Sequence, residues 1–300
     1  MAPSVLLIGA SGAFGRPLVE EFIRQLHKFH KVGILADPAK ISKFAEVAKR
    51  GIQVVPGSFF EPNSYAGYDT VISLAGNAIM RLQPAMIEAA VAGGVSHFYP
   101  SEFGSDIGQE ALKDIRYFRD KRATRDHLIA TARTHANFRY TLMITGAFTE
   151  WTFNEAYGVY RPEKKAITYG RPDAPIDVTS IPDIARYTVM SVLLPFADGH
   201  QKREVRVVGE RTTFQGLIDI LSEVEGEKYE STYLPIGEAL AEQEKARKAE
   251  DETAELFWSL RTLGASGSAT VPGSLHNDLF DFKPESARDT LERTFQTEEK

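Results

Sequence analysis

Three glycines at equal spacing carry the first chemical signal in this sequence. Gly9, Gly12 and Gly15 fall in the run Gly9-Ala10-Ser11-Gly12-Ala13-Phe14-Gly15, directly after Val5-Leu6-Leu7-Ile8 and directly before an amphipathic stretch. A glycine turn between a strand and a helix can hold a pyrophosphate. Gly9 lets the chain turn sharply out of the strand, Gly12 has no Cβ to keep a ligand from the backbone, and Gly15 lets the helix approach closely. The first-turn N–H groups lack intrahelical partners and, with the helix dipole, form an anion site. An ordinary glycine-rich turn is the plain alternative. The motif's place after a strand and before a helix favours dinucleotide binding, with Ser11, Ala13 and Phe14 completing the cradle.

The elements that must position this turn follow from periodicity. Leu18, Val19, Phe22, Ile23 and Leu26 make one apolar stripe, which predicts a helix from about Phe14 to Phe29. Val32 to Leu35, Ile52 to Val55, Thr70 to Leu74, Val95 to Tyr99 and Tyr140 to Thr145 read as further strands. Helices are predicted after Asp37-Pro38, over Ile79 to Ala92 and over Lys113 to His135. Strands alternating with helices predict an α/β fold, a doubly wound parallel sheet of the Rossmann type. Right-handed crossovers put all strand C-termini along one edge, where ligands bind. The segments delivered there are Gly9–Gly15, Ala36–Asp37, Ala75-Gly76-Asn77, Pro100–Gly104 and Gly146-Ala147-Phe148.

Beyond Thr149 the pattern loosens. Residues 1–149 read as a dinucleotide-binding domain and 150–300 as a smaller, less regular substrate part, with segments near 176–208 returning to the sheet. Glu238 to Leu263 reads as a long charged helical stretch, Gly264 to Ser268 as a flexible break, and Pro284 to Phe295 as a last short helix.

Composition narrows the function class. A net charge of −6 with mixed signs argues against nucleic acid as a partner. No apolar run approaches the ~20 residues that span a bilayer, so no membrane role is expected. The short apolar run near the N-terminus has no basic segment before it, which argues against a signal peptide and for the cytoplasm. With no cysteine, disulfides and a thiolate nucleophile are excluded. Only His27 and His30 lie close together among seven histidines, and no metal site is expected. A small-molecule substrate is the expected partner, and a homo-oligomer is left open.

Ile87 to Tyr99 followed by Pro100-Ser101-Glu102-Phe103-Gly104 resembles the NmrA-like, isoflavone-reductase-like branch of the atypical short-chain dehydrogenases. The glycine turn agrees, as do Lys121 with Arg125 and Leu128-Ile129, and Thr179 to Arg186. The likeness covers about residues 4–195. It implies a nicotinamide cofactor, usually NADPH, and reduction of a small, often aromatic or polycyclic secondary metabolite. The family also includes dinucleotide-binding regulators without turnover, and non-redox cyclisation or isomerisation is a third reading.

The resemblance gives roles to named residues. Lys121 would lie beside the nicotinamide and handle a proton, which a lysine can do when burial or the nearby cations Arg122 and Arg125 lower its pKa. Its alternative is a place on a solvated face, because Arg116 to Asp126 is a charged run. Tyr117 precedes it by four residues, giving the Tyr-x-x-x-Lys pair of ordinary short-chain dehydrogenases on one helix face. That spacing is matched equally by an aromatic packed beside Phe118. Ser101 could hydrogen-bond the substrate oxygen, and Glu102 and Phe103 would line the cofactor. Phe103, Phe148, Trp151, Phe153, Tyr157 and Trp258 would line an aromatic substrate pocket, although such clusters are often core. Cofactor choice is read after the second strand. Asp37 favours NAD(H) through the ribose, or is only a helix cap. Lys40 or Lys43 would favour NADP(H), which the resemblance prefers.

Overall fold

Near-continuous apolar runs in the first half of the chain become buried strands. The computed structural model describes residues 2–113, 115 and 118–298. β1 (Ser4–Ile8) is buried throughout, as a central parallel strand must be when helices cover both faces. α1 (Gly15–Arg24) turns Leu18, Val19 and Phe22 inward. It stops five residues before Phe29, and a 3-10 turn over Leu26–Lys28 finishes the segment.

β2 (Lys31–Ala36) leads through a 3-10 stretch at Pro38–Phe44 to the single-turn α2 (Ala45–Ala48) and β3 (Gln53–Pro56). β4 (Thr70–Ser73) is followed by two helices where one was expected, α3 (Asn77–Met80) and α4 (Gln83–Ala92). Pro84, in the first turn of α4, has no N–H to continue a helix from before it. β5 (His97–Tyr99), α5 (Arg119–Thr134) and β6 (Arg139–Ile144) complete the alternation.

The second half holds β7 (Ala147–Phe148), β8 (Val159–Tyr160), β9 (Lys165–Tyr169), β10 (Pro175–Thr179) and α6 (Ile181–Val192). β11 (Lys202–Arg206), β12 (Glu210–Thr213), α7 (Phe214–Glu225) and β13 (Glu230–Leu234) come next. α8 (Ile236–Lys248), α9 (Glu252–Ser266) and α10 (Ala287–Glu298) end the chain.

Seven strands form one sheet in the order β11-β6-β5-β4-β1-β2-β3. The pairings among β1 to β6 are all parallel. The chain winds outward from β1 in both directions, so the strand order reverses between β1 and β4, where a doubly wound sheet opens its crevice. Leu6, Ile8, Leu35, Val71, Met86, Phe98, Leu128 and Phe138 share one core cluster beside it. Each such side chain contributes about 1.5–3 kcal/mol through burial.

Contacts divide the chain into two compact, interleaved units. The first comprises Met1–Phe103, Arg119–Met143 and Ile184–Val205; the second comprises Gly104–Phe118, Ile144–Asp183 and Arg206–Lys300. Set against the contiguous split at 149/150, residues 104–118 and 144–149 go with the second unit. Residues 184–205 go with the first, bringing β11 to the sheet's edge.

The second unit has two three-stranded sheets, β12-β10-β7 and β13-β9-β8. Phe153, Tyr157, Ile176, Phe214, Leu217 and Leu291 belong to its core. Asp177, fully buried, takes two 2.7 Å hydrogen bonds from Arg211 and one of 2.6 Å from the Val271 N–H. Glu225 accepts from Arg161, Lys164 and the Tyr229 hydroxyl. Two expectations change here. The charged stretch is a helical hairpin, broken where Glu250 has φ +57° and Asp251 caps α9 through the Ala254 N–H. The break expected at Gly264 is helical to Ser266, because Gly264 is buried, with space for a Cβ only 3.6 Å from the Tyr157 ring.

Candidate functional site

The three glycines of the first turn answer to different demands. Gly9 has φ +83°, and a Cβ there would lie 2.7 Å from the Leu74 carbonyl oxygen. At Gly15 a Cβ would lie 2.6 Å from the Ala10 carbonyl, so the tight approach is to the turn itself rather than to the sheet. At Gly12 the nearest atom would be the Gly9 oxygen at 3.4 Å, which is ordinary contact. The fold needs glycine at 9 and 15 but not at 12, where the open side is solvent. Ser11, Gly12 and Ala13 are exposed there, and no side chain caps α1. This fits the backbone cradle a pyrophosphate requires.

The ends of β4 and β5 are tied side by side. The Ser101 hydroxyl donates to the Ala75 carbonyl at 2.9 Å, and the Ser101 N–H donates to the Gln83 amide oxygen at 2.8 Å. Gln83 reaches Thr124 on α5 at 3.5 Å. Ala75 is buried, while Gly76 and Asn77, which open α3, are exposed. Ser101, expected to face a substrate oxygen, gives its proton to this bridge.

Next to it sits a buried group of charges. Glu102 is paired in a fork with Arg125, Nε to Oε1 at 2.8 Å and an Nη to Oε2 at 3.0 Å. Lys121, one turn before Arg125 on α5, is only 8% exposed and donates from Nζ to the Glu102 carbonyl oxygen. Burial holds the Lys121 pKa below the ordinary lysine value; the Glu102 carboxylate opposes this shift and the Arg125 guanidinium adds to it. Of the two arginines expected to assist, Arg125 is the one that acts on it. The charged run thus hides a buried lysine, contrary to a solvated face. Phe103 follows at φ +33°, a conformation rare for a side-chain-bearing residue, with its ring 4.8 Å from that of Phe14. The glycine turn and the β5 end therefore touch. Tyr117 lies outside the described residues.

After β2, Asp37 accepts from the Ala39 N–H at 2.9 Å and caps the following turn. Lys40 lies 3.6 Å from the same carboxylate. Both are exposed. Asp37, Pro38, Gly57, Ser58, Phe59 and Glu61 line a cavity of about 430 Å³.

The remaining candidates belong to the second unit. Gly146 has φ +69°, and a Cβ there would lie 2.4 Å from the Asp177 carbonyl oxygen. Ala147 and Phe148 form β7. The Phe148 ring is 4.6 Å from Trp151, which is 43% exposed. Phe153 and Tyr157 are core residues, and Trp258 packs on Tyr169 and under Arg261. None of the six aromatics proposed for the substrate lines a cavity of about 380 Å³ in this unit, which Leu112, Ile115, Leu240, Gln243 and Leu263 help to form. The sequence signal missed there is the α8 stripe Ile236, Leu240 and Gln243, at helical spacing. Among the described residues, no group of three or more His, Cys, Asp or Glu could hold a metal ion, and no helix is long and apolar enough to cross a membrane.

Comparison with known proteins matches residues 1–264 to a family model described as NmrA-like family. A phenylcoumaran benzylic ether reductase of Populus trichocarpa is 25% identical over 246 residues, 78% of this chain and 79% of the relative. A solved structure, AtPrR2 with NADP+ and (+)pinoresinol, superposes with a TM-score of 0.78 at 20% identity, covering 98% of this chain and 99% of the other. A ternary complex of leucoanthocyanidin reductase from Vitis vinifera gives 0.76 at 17% identity, covering 98% and 99%.

Proposed function

This chain belongs to the NmrA-like family, and from that premise we propose that it is an NADP(H)-dependent reductase of a small aromatic, secondary-metabolite-like molecule. The observation that carries the reading is Lys121. It is a buried lysine with a lowered pKa, fixed by the β5 end, in a chain whose relatives are named reductases.

In this reading the exposed backbone of Ser11 to Ala13 and the uncapped start of α1 take the pyrophosphate. Gly76, Asn77 and Phe103 border the dinucleotide farther along the strand edge. When bound, the nicotinamide supplies a hydride to a carbonyl, an activated alkene or a benzylic centre. Lys121 supplies the matching proton from Nζ, which has two hydrogens beyond the one given to Glu102. The Glu102 carbonyl aims the ammonium; burial and the Arg125 guanidinium ease proton release, against the pull of the Glu102 carboxylate. Ser101 positions the β4 and β5 ends through its bond to Ala75. Phe148 and Trp151, an aromatic pair with one exposed member, are the strongest of the proposed substrate contacts.

The test is to screen aromatic carbonyls, enones and benzylic ethers for consumption of NADPH. Turnover that persists unchanged in Lys121→Ala sinks the role of the lysine. Tight dinucleotide binding with no turnover of any substrate class favours a regulator instead.

A further inference from the structure

We propose that the 2′-phosphate of the dinucleotide is held by Arg16 and Lys43, in a cavity beside the glycine turn, and not by the residues at the end of β2. The inference rests on the NADP(H) reading above and deepens it.

The cavity has a volume of about 560 Å³ and lies within the first unit. Ser11 of the glycine turn lines it together with Arg16 and Glu20 of α1, Ile34 of β2, and Lys43 and Phe44 ahead of α2. Arg16 and Glu20 stand at i and i+4, on one face of α1.

The case lies in which cations are already engaged. Residues 2–60 contain eight Lys and Arg. Arg24 pairs with Glu21, Lys28 donates to Gln25, and Lys31 sits over the Tyr68 ring. Lys40 pairs with Asp37, Lys49 with Glu46, and Arg50 with Glu20 in a fork at 2.7 and 2.8 Å. Arg16 and Lys43 are left. Among the described residues neither side chain makes an ion pair or a hydrogen bond, and both line this cavity. The cavity's one acid, Glu20, is neutralised by Arg50, which holds its carboxyl below the usual range. A guanidinium fork and a mobile ammonium facing one space suit a phosphate monoester: the first gives paired donors, the second a point charge.

The competing cavity has the opposite sign. Asp37 and Glu61 line it and no cation does, so a phosphate dianion there would meet two carboxylates. Lys40 offsets Asp37 in place, but among the described residues Glu61 has no ion-pair partner.

Calorimetric titration of the full chain with NADPH, NADH, 2′,5′-ADP and 5′-AMP tests this without any turnover. Arg16→Gln and Lys43→Gln should each weaken NADPH and 2′,5′-ADP about tenfold, and the double variant about a hundredfold, with NADH and 5′-AMP unaffected. Because neither side chain has a partner among the described residues, the unliganded melting temperature should not move. Lys49→Gln, the same charge change away from the cavity, should leave all four ligands unchanged. A double variant that keeps the wild-type preference for NADPH overturns the inference and spares the proposed function. So does loss of that preference in Lys40→Gln instead. Equal affinity of the wild type for NADPH and NADH overturns the inference together with the choice of cofactor. Binding of neither dinucleotide removes both proposals.

Discussion

The two units place their polar groups by opposite means. In the first, parallel strands deliver the important groups to one edge, and several of these groups are backbone: the glycine turn, the Ala75 carbonyl, the Glu102 carbonyl. Side chains there remain available for chemistry. In the second, shielded carboxylates tie the scaffold together through partly exposed cations. Asp177 joins Arg211 and the Val271 N–H, and Glu225 gathers Arg161, Lys164 and Tyr229. A charged residue thus has a different meaning in each half. Beside the β5 end it marks a candidate site, and in the later sheets it marks a joint.

The sharpest way to break this contrast is Lys121→Ala, for which turnover should fall about 10²-fold or more while dinucleotide affinity stays within tenfold. Lys121 should also set the alkaline limb of kcat. Its pKa is lowered, so the ammonium form is lost below the ordinary lysine value and the rate declines there. Arg125→Met removes one lowering influence, and the limb should move to higher pH. The same shift has a stability sign. Between the lowered folded value and the unfolded one the unfolded chain binds more protons, so stability rises with pH in that window, and Lys121→Met should abolish the rise.

Next come the two buried acids. Glu102→Gln leaves Arg125 without its carboxylate and should cost about 3 kcal/mol in urea unfolding, together with turnover. Asp177→Asn should cost about 2 kcal/mol, less because Arg211 is half exposed, and leave dinucleotide affinity unchanged. If Asp177→Asn altered that affinity, the contrast between site and joint would fail.

Within the glycine turn the contrast can be sharpened further. Gly15→Ala meets the Ala10 backbone and should destabilise by about 1–3 kcal/mol. Gly12→Ala should leave urea stability within about 0.5 kcal/mol and weaken NADPH binding. A modest effect is expected from Asp37→Ala, about 1 kcal/mol of stability through loss of a helix-start cap.

The same contrast explains what the sequence made legible. The glycine turn and the strands β1 to β6 rest on local patterns, continuous apolar runs and turn residues, and their order alone implies the doubly wound sheet. The pairing of β9 with β13, Lys165 opposite Glu230, depends on residues far apart in sequence and has no local signature. Gly264 looked like a break because glycine ends helices in isolation; its packing against Tyr157 reverses that. In the candidate site, Lys121 and the Pro100–Gly104 block were legible. The fork between Glu102 and Arg125 was not, because the pair spans 23 positions. The aromatics divided by burial, and periodicity could not separate Phe153 in the core from Trp151 at the surface.

The interleaving of the units bears on how such a protein can be altered. The chain passes between them at five places, 103/104, 118/119, 143/144, 183/184 and 205/206. No single cut releases either unit. A fragment ending at 149 would lack residues 184–205, and with them β11 at the edge of the main sheet. A graft of a relative's whole C-terminal half would import that edge strand with the rest. Recombination by one crossover therefore cannot exchange the second unit as a module. New ligand preferences have to arrive as separate local changes, each accommodated by a sheet that remains in place.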